Sequence, residues 1–182
     1  MTRKIIRMAS IDDMEMLWNH QKRHGKESGN NGDVIFSPFE DPWNERLDIL
    51  IKDYDRKFKQ KVTQKKWGRL WIITDEIKIY GALSLSHHLG LKTTLHRAIL
   101  MMGIERMHRK QGYGAELIQT SLDWAKEHKT LSWVTLNVFA HNKPAIGLYE
   151  KMGFEKVGVN KDLFRVHGQS IDDMEMVRGV GL

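Results

Sequence analysis

Two short stretches concentrate the residues that could do chemistry. The first is Ile104-Glu105-Arg106-Met107-His108-Arg109-Lys110-Gln111-Gly112-Tyr113-Gly114-Ala115. Its two glycines allow a tight turn in which successive backbone N–H groups converge, and a helix that follows adds the positive end of its dipole. The product is an anion cradle, with a pyrophosphate as its natural occupant, and Arg109 and Lys110 raise the local positive potential. The second stretch runs from Asn137 to Phe154 and combines a strand end, an Asn cap, a short helix bearing Tyr149 and a Gly-Phe exit. A phenol of pKa ~10 keeps its proton at neutral pH yet can assist a strongly basic leaving group. Taken alone, Tyr149 at that spacing reads as a core aromatic on a helix face.

Other phosphate loops fit poorly. The third glycine of a dinucleotide fingerprint would fall at Leu117, and no Gly-Lys-Ser/Thr follows a glycine at the nucleotide P-loop spacing.

The elements that must position these stretches follow from periodicity. Lys4 to Met8 reads as a strand, and Ser10 to Asp13 supplies N-cap candidates for a helix reaching about His24. Residues 25–42 read as a loop. From Trp43, the apolar Leu47, Leu50, Ile51, Tyr54 and Phe58 recur at threes and fours, giving an amphipathic helix. A hairpin of Trp67–Thr74 and Ile77–Leu89 turns at Asp75-Glu76. A strand at Leu95–Ile104, a helix from about Gly112 to Glu127 and a strand at Trp133–Phe139 follow. A short helix capped by Asn142 then ends at Gly153, before two final strands. The heptapeptide Ser-Ile-Asp-Asp-Met-Glu-Met occurs at both 10–16 and 170–176. The first copy is expected in a helix and the second in a strand, because neighbours override weak local propensity.

The chain has 182 residues, a formal charge of +6 and no cysteine. That composition bounds a soluble globular domain and excludes disulfides, thiolate metal sites and a cysteine nucleophile. Positive charge draws anionic partners without choosing among them. Eight basic residues between Lys52 and Arg69 read as a solvated helix face, so nucleic acid is not the expected partner. No apolar run reaches membrane-spanning length and the N-terminus lacks a secretory apolar segment, so a cytoplasmic protein without a membrane partner is expected. His20 with His24, and His87 with His88, have chelating spacings but no evident third ligand, so no metal is expected.

The motif Arg/Gln-x-x-Gly-x-Gly/Ala, matched from Arg109 to Gly114, resembles that of the GNAT superfamily of N-acetyltransferases, and so does Asn-x-x-Ala-x-x-Leu-Tyr-x-x-x-Gly-Phe, matched at every specified position from Asn142 to Phe154. By element order the resemblance covers about residues 72–177, and the chain is expected to form one such domain over 1–182. It implies an α/β (α+β) fold: a mixed, mostly antiparallel sheet of about seven strands with helices on both faces, splayed between strands four and five. Acetyl-CoA would lie in the gap as co-substrate. The backbone of Met102, Gly103 and Ile104 would pair with the pantetheine arm and polarise the thioester. Arg109 and the amides of Lys110, Gln111, Gly112, Tyr113, Gly114 and Ala115 would serve the pyrophosphate, Asn142 would contact the cofactor, and Tyr149 would protonate the departing thiolate.

An alkyl amine acceptor is mostly protonated at pH 7, so direct attack needs a proton acceptor. Some relatives place a Glu where this chain has Asn137, which cannot act as a base and instead orients substrate or water. Glu105 stands first among the remaining candidates, ahead of Glu40, Asp41, His87, His88 and His141. The acceptor wall is expected in the loop after the first helix, where Phe36, Phe39, Glu40, Asp41 and Trp43 form an aromatic, partly acidic lip suited to a cationic amine. The same aromatics could simply anchor the loop. Three functions stay open: acetylation of a small-molecule amine, which leads; acetylation of a protein N-terminus or lysine; and a non-catalytic CoA-sensing or nucleic-acid-binding module. A homodimer is an open alternative for assembly.

Overall fold

The computed structural model describes residues 4–40 and 46–181. In chain order the elements are β1 (Ile5–Met8), α1 (Met14–Gly25), α2 (Leu47–Lys59), β2 (Gly68–Thr74), β3 (Ile79–His87), β4 (Arg97–Ile104), α3 (Tyr113–Glu127), β5 (Trp133–Phe139), α4 (Lys143–Lys151), β6 (Glu155–Val166) and β7 (Gln169–Gly179). The strands form one seven-stranded sheet in the order β1-β2-β3-β4-β5-β7-β6. Every neighbouring pair is antiparallel except β4–β5. That parallel pair covers only half of β4. It joins Arg97–Leu100 to Trp133–Leu136 and stops, so Met101–Ile104 and Asn137–Phe139 border a gap in the sheet.

Strand alternation assigns the two faces. Leu83, Leu85, Ala98, Leu100, Val134, Leu136, Met174 and Met176 point to one side, where Leu117, Ile118, Leu122 and Ala125 of α3 complete the larger core. On the other side Leu70 and Ile72 meet Met14 and Leu17 of α1 and Leu50 of α2. Each fully buried side chain of this kind contributes roughly 1.5–3 kcal/mol, which is what fixes register across the sheet.

The two copies of the repeated heptapeptide adopt different structures. Ser10 opens a capping box with Asp13 ahead of α1, whereas residues 170–176 lie within β7. In the first copy the following apolar residues come at helical spacing; in the second, β5 and β6 flank the segment on both edges and impose extension. The second strand of the hairpin starts at Ile79 rather than at Ile77. Asp75 Oδ1 accepts from the amides of Ile77 and Lys78, which lengthens the turn and leaves Ile77 outside the ladder. The expected helix start at Trp43 falls in 41–45, outside the described residues, and α2 is described from Leu47.

Candidate acetyl-CoA and acceptor site

After β4 the chain makes one 3-10 turn at Arg106–His108, takes positive φ at Lys110 (59°) and Gly112 (87°), and enters α3 at Tyr113. Positive φ suits glycine, and the two residues that adopt it turn the chain sharply into α3. Among the described residues, no backbone N–H from residue 110 to residue 115 has a hydrogen-bond acceptor. These groups open a fifteen-residue helix, whose N-terminus carries about half a positive charge. A phosphate group fits such a donor set without any further cation.

The Arg109 side chain corrects one expectation. Its guanidinium donates to the Ile104 carbonyl (2.8 Å), to Asp33 (2.8 Å) and to Glu27 (2.5 Å), so its charge is neutralised by two carboxylates and adds little to the glycine turn. Arg106 joins the same network, donating from its side chain to Asp33 and from its amide to Glu27. Burial acts to raise the Glu27 pKa, but hydrogen bonds from His24 and the Arg106 amide, with the charge of Arg109, hold it below the usual range. This network ties the loop after α1 to the loop before α3. Sequence spacing gave no sign of it, because the partners lie more than 70 residues apart.

Along the gap, Met102, Gly103 and Ile104 pair with β3 through one edge and lack a β5 partner on the other. Gly103 lies under the His24 ring. A Cβ there would sit 2.5–2.6 Å from His24 Cδ2 and Nε2, so any side chain would displace the imidazole. The ring stacks on Phe36 at 4.7 Å, and the Arg109 guanidinium stands 5.3 Å over the same Phe36 ring.

Tyr149 lies on α4 in the larger core, with its ring 5.9 Å from that of Phe154. Burial pushes its phenol up to about 12, so it holds its proton throughout the neutral range. Asn142 caps α4, its Oδ1 accepting from the Ala145 amide at 3.3 Å. The cap fixes the helix that carries Tyr149.

Glu105 proves to be a buried ion-pair centre. It is 7% exposed and contacts His20 Nδ1 (3.0 Å), Arg23 Nε (3.0 Å) and Lys78 Nζ (3.4 Å). Burial would raise its pKa, but the hydrogen bonds from His20 and Arg23 outweigh it and hold the carboxyl at about 2. A carboxylate held that strongly is a poor proton acceptor near neutral pH. What Glu105 does in the structure is fasten α1 to the end of β4.

Asn137 donates to Asp173 Oδ2 at 2.5 Å. Phe36 serves the packing column just described, and Glu40 accepts from the His167 amide at 2.6 Å, which closes the loop onto the β6–β7 turn. His141 Nε2 meets the Ile35 carbonyl at 2.7 Å at the same end. These contacts make Phe36 and Glu40 anchors of the loop that follows α1. Asp41 and Trp43 lie outside the described residues. His87 is occupied by the Lys66 amide and Thr94. Among the described residues no group of three or more His, Asp or Glu side chains is placed to hold a metal ion, and no helix is long and apolar enough to cross a membrane.

A seven-stranded sheet opened beside a glycine turn and a helix of unpaired N-terminal amides is the architecture of one class of acyl-transferring domains. The family model described as "Acetyltransferase (GNAT) family" matches residues 33–154, and the chain belongs to that family. Human N-acetyltransferase 8B is 25% identical over 134 residues, which are 72% of this chain and 57% of that protein. The chain thus spans little more than half the length of this curated relative. Among solved structures, a GNAT-family acetyltransferase from Streptococcus pneumoniae superposes with a TM-score of 0.82 at 20% identity, covering 98% of this chain and 100% of that one. The protein yncA from Salmonella typhimurium, solved with its cofactor acetyl-CoA, gives a TM-score of 0.80 at 12% identity, covering 97% and 93%. At such identities these two structures speak for the fold.

Proposed function

We propose that the chain is an N-acetyltransferase that moves the acetyl group of acetyl-CoA to a primary amine by direct attack in a ternary complex. The observation that carries this reading is the run of unpaired amides from residue 110 to residue 115, beside the point where β4 and β5 stop pairing. When bound, acetyl-CoA supplies an acetyl thioester, an acyl group activated towards an amine. Amides of Lys110, Gln111, Gly112, Tyr113, Gly114 and Ala115 hold the pyrophosphate, and the free edge of Met102, Gly103 and Ile104 receives the pantetheine arm. Preorganised strand N–H groups at that edge can stabilise a developing oxyanion without reorganising. Tyr149, protonated and buried, is the proton donor to the thiolate as the C–S bond breaks. The acceptor attacks as the free amine, and the proton its nitrogen sheds on C–N bond formation passes to solvent, from which the Tyr149 phenolate is reprotonated. Asn142 holds the Tyr149 helix at the cofactor, and Arg109 braces the glycine turn from behind. Asn137 orients the acceptor side. Glu105 is a positioning residue in this scheme, and the acceptor is a small-molecule amine.

The test is a thermal melt with and without acetyl-CoA, followed by CoA release across an amine panel. A ligand at 100 times its Kd adds ~2.7 kcal/mol to the folded state, which is a rise of several degrees for a chain of this size. No rise at millimolar acetyl-CoA would remove the cradle, and a rise without CoA release for any amine would leave a cofactor-binding module that is not an acetyltransferase.

A further inference from the structure

Helix α1 packs on β3 and β4 and helix α2 on β2, so the same face of β5 and β7 lies beyond both helices. Thr135 and Asn137 of β5 and Asp173 and Glu175 of β7 stand on that face, because their neighbours Val134, Leu136, Val138, Met174 and Met176 fill the opposite core. The register puts them beside the gap. Asn137 and Phe139 lie past the last β4 pairing, and their β7 partners are Glu175 and Asp173.

Asp173 is 2% exposed, and its hydrogen bond from Asn137 is its only polar contact among the described residues. Neither it nor Glu175 forms an ion pair with any described Lys, Arg or His. The other buried carboxylates behave differently: Asp13 is matched by Arg7, and Glu105 by Arg23 and Lys78. Thr135 is fully buried and its Oγ1 has no partner. A buried carboxylate without a counter-charge is costly, and Thr135, two residues along β5 from the Asn137 that bonds Asp173, leaves a second buried polar group unsatisfied on the same face; together they point to a missing cation that donates hydrogen bonds. Burial raises the Asp173 pKa, the Asn137 bond acts the other way, and the charge of Glu175 raises it again. His88 and Arg97 share this face towards the paired end of β4, where the Arg97 guanidinium lies over Trp133 at 5.8 Å and the fields of both Arg97 and Glu175 reach His88.

We propose that Asp173, Glu175 and Asn137 form the acceptor subsite and select an alkyl amine with a second positive charge a few carbons from the reacting nitrogen, as in a diamine. The inference rests on the amine-acetylating reading above and names its substrate class. The distal ammonium gives its donors to Asp173 and Glu175 while the reacting nitrogen, as the free amine, faces the gap; an amine bearing a carboxylate meets two like charges there. A hydrogen bond between charged groups changes affinity by roughly ten- to a hundredfold.

The experiment compares 1,4-diaminobutane, n-butylamine and 4-aminobutanoate, which share a chain length and differ in end charge, by CoA release at saturating acetyl-CoA. The diamine is expected to exceed 4-aminobutanoate at least tenfold in kcat/KM, with butylamine between them. Asp173→Asn and Glu175→Gln are each expected to compress that span, chiefly through KM, while the melting shift given by acetyl-CoA stays at its wild-type value. Glu175→Gln, at a partly exposed position, keeps the test available if Asp173→Asn does not fold. A melt of the CoA-loaded protein gives a second readout: 1,4-diaminobutane should stabilise the wild type and neither variant. Equal use of the three amines, an unchanged span in both variants or no stabilisation by the diamine would overturn the subsite and leave amine acetylation standing. Stabilisation by the diamine, lost in the variants but without CoA release from any amine, would support the subsite and overturn the enzyme reading.

Discussion

Replacing Glu105 with Gln separates two roles that sequence leaves entangled. The carboxyl is lowered from 4.5 to about 2 by its partners His20 and Arg23, against the opposing effect of burial. With one pKa unit worth ~1.4 kcal/mol, that ion pairing stabilises the fold by about 3 kcal/mol at neutral pH. Removing one partner of a buried pair costs about 3–5 kcal/mol, which agrees. For a chain of this size each kcal/mol moves Tm by about 2–4 °C, so Glu105→Gln should melt roughly 6–12 °C below the wild type. The sign with pH follows from the depressed pKa. The contribution is complete above the ordinary value of 4.5 and is lost as pH falls through about 2. Urea unfolding of both proteins at pH 7, 5 and 3 should show the full difference at pH 7 and 5 and a smaller one at pH 3. A difference that stays constant down to pH 3 would refute the ion-pair account. Unchanged stability with turnover collapsed would refute it more directly, because that is the signature of a general base.

Three further outcomes follow from the site. Tyr149→Phe should lower turnover at least tenfold and leave the acetyl-CoA melting shift intact; unchanged turnover with chemistry rate-limiting would take Tyr149 out of the acid role. Gly112→Ala places a Cβ at φ 87°, a left-handed conformation that costs roughly 1–2 kcal/mol, and should weaken acetyl-CoA binding measured by titration calorimetry more than it lowers Tm. Gly103→Ala should displace the His24 ring and raise KM for the amine more than the Kd for acetyl-CoA. Equal effects on both constants would mean that the ring serves the cofactor side as well.

The sheet was legible because its apolar residues alternate or recur at helical spacing, and burial then makes that pattern decisive. Leu117, Ile118, Leu122 and Ala125 of α3 are buried as their spacing required. The glycine turn was legible for a local reason: backbone conformation at Gly112 is set within a few residues. Long-range charge pairing was not. Nothing near Arg109 in sequence says that Glu27 and Asp33 will claim it, and the exposed look of Glu105 at a strand end hid a partner on α1, 85 residues away. Asp173 left a faint mark, an acid among Ile171, Met174 and Met176, but which face it takes depends on register with β5.

The distribution of charge gives these features a common logic. In a chain of net charge +6, surplus cations are the rule and unpaired buried anions the exception. Beside the glycine turn, Glu27 and Asp33 neutralise Arg106 and Arg109, so the proposed anion cradle is left to backbone amides, whose position is fixed by the turn and does not depend on flexible side chains. Those same acids belong to the loop that Glu40 and Ile35 carry across to His167 and His141, so one strap joins the glycine turn to the β6–β7 end of the sheet, beside the proposed acceptor face. On the face beside the gap, Asp173 and Glu175 have no ion-pair partner among the described residues. Arg109→Ala should therefore disturb both sides at once, loosening the strap at Asp33 and the turn at Ile104. A fall in affinity for acetyl-CoA together with a rise in amine KM is the expected result, measured on one preparation. A change confined to acetyl-CoA would mean that the guanidinium acts on the cradle alone and that the strap is held by Arg106.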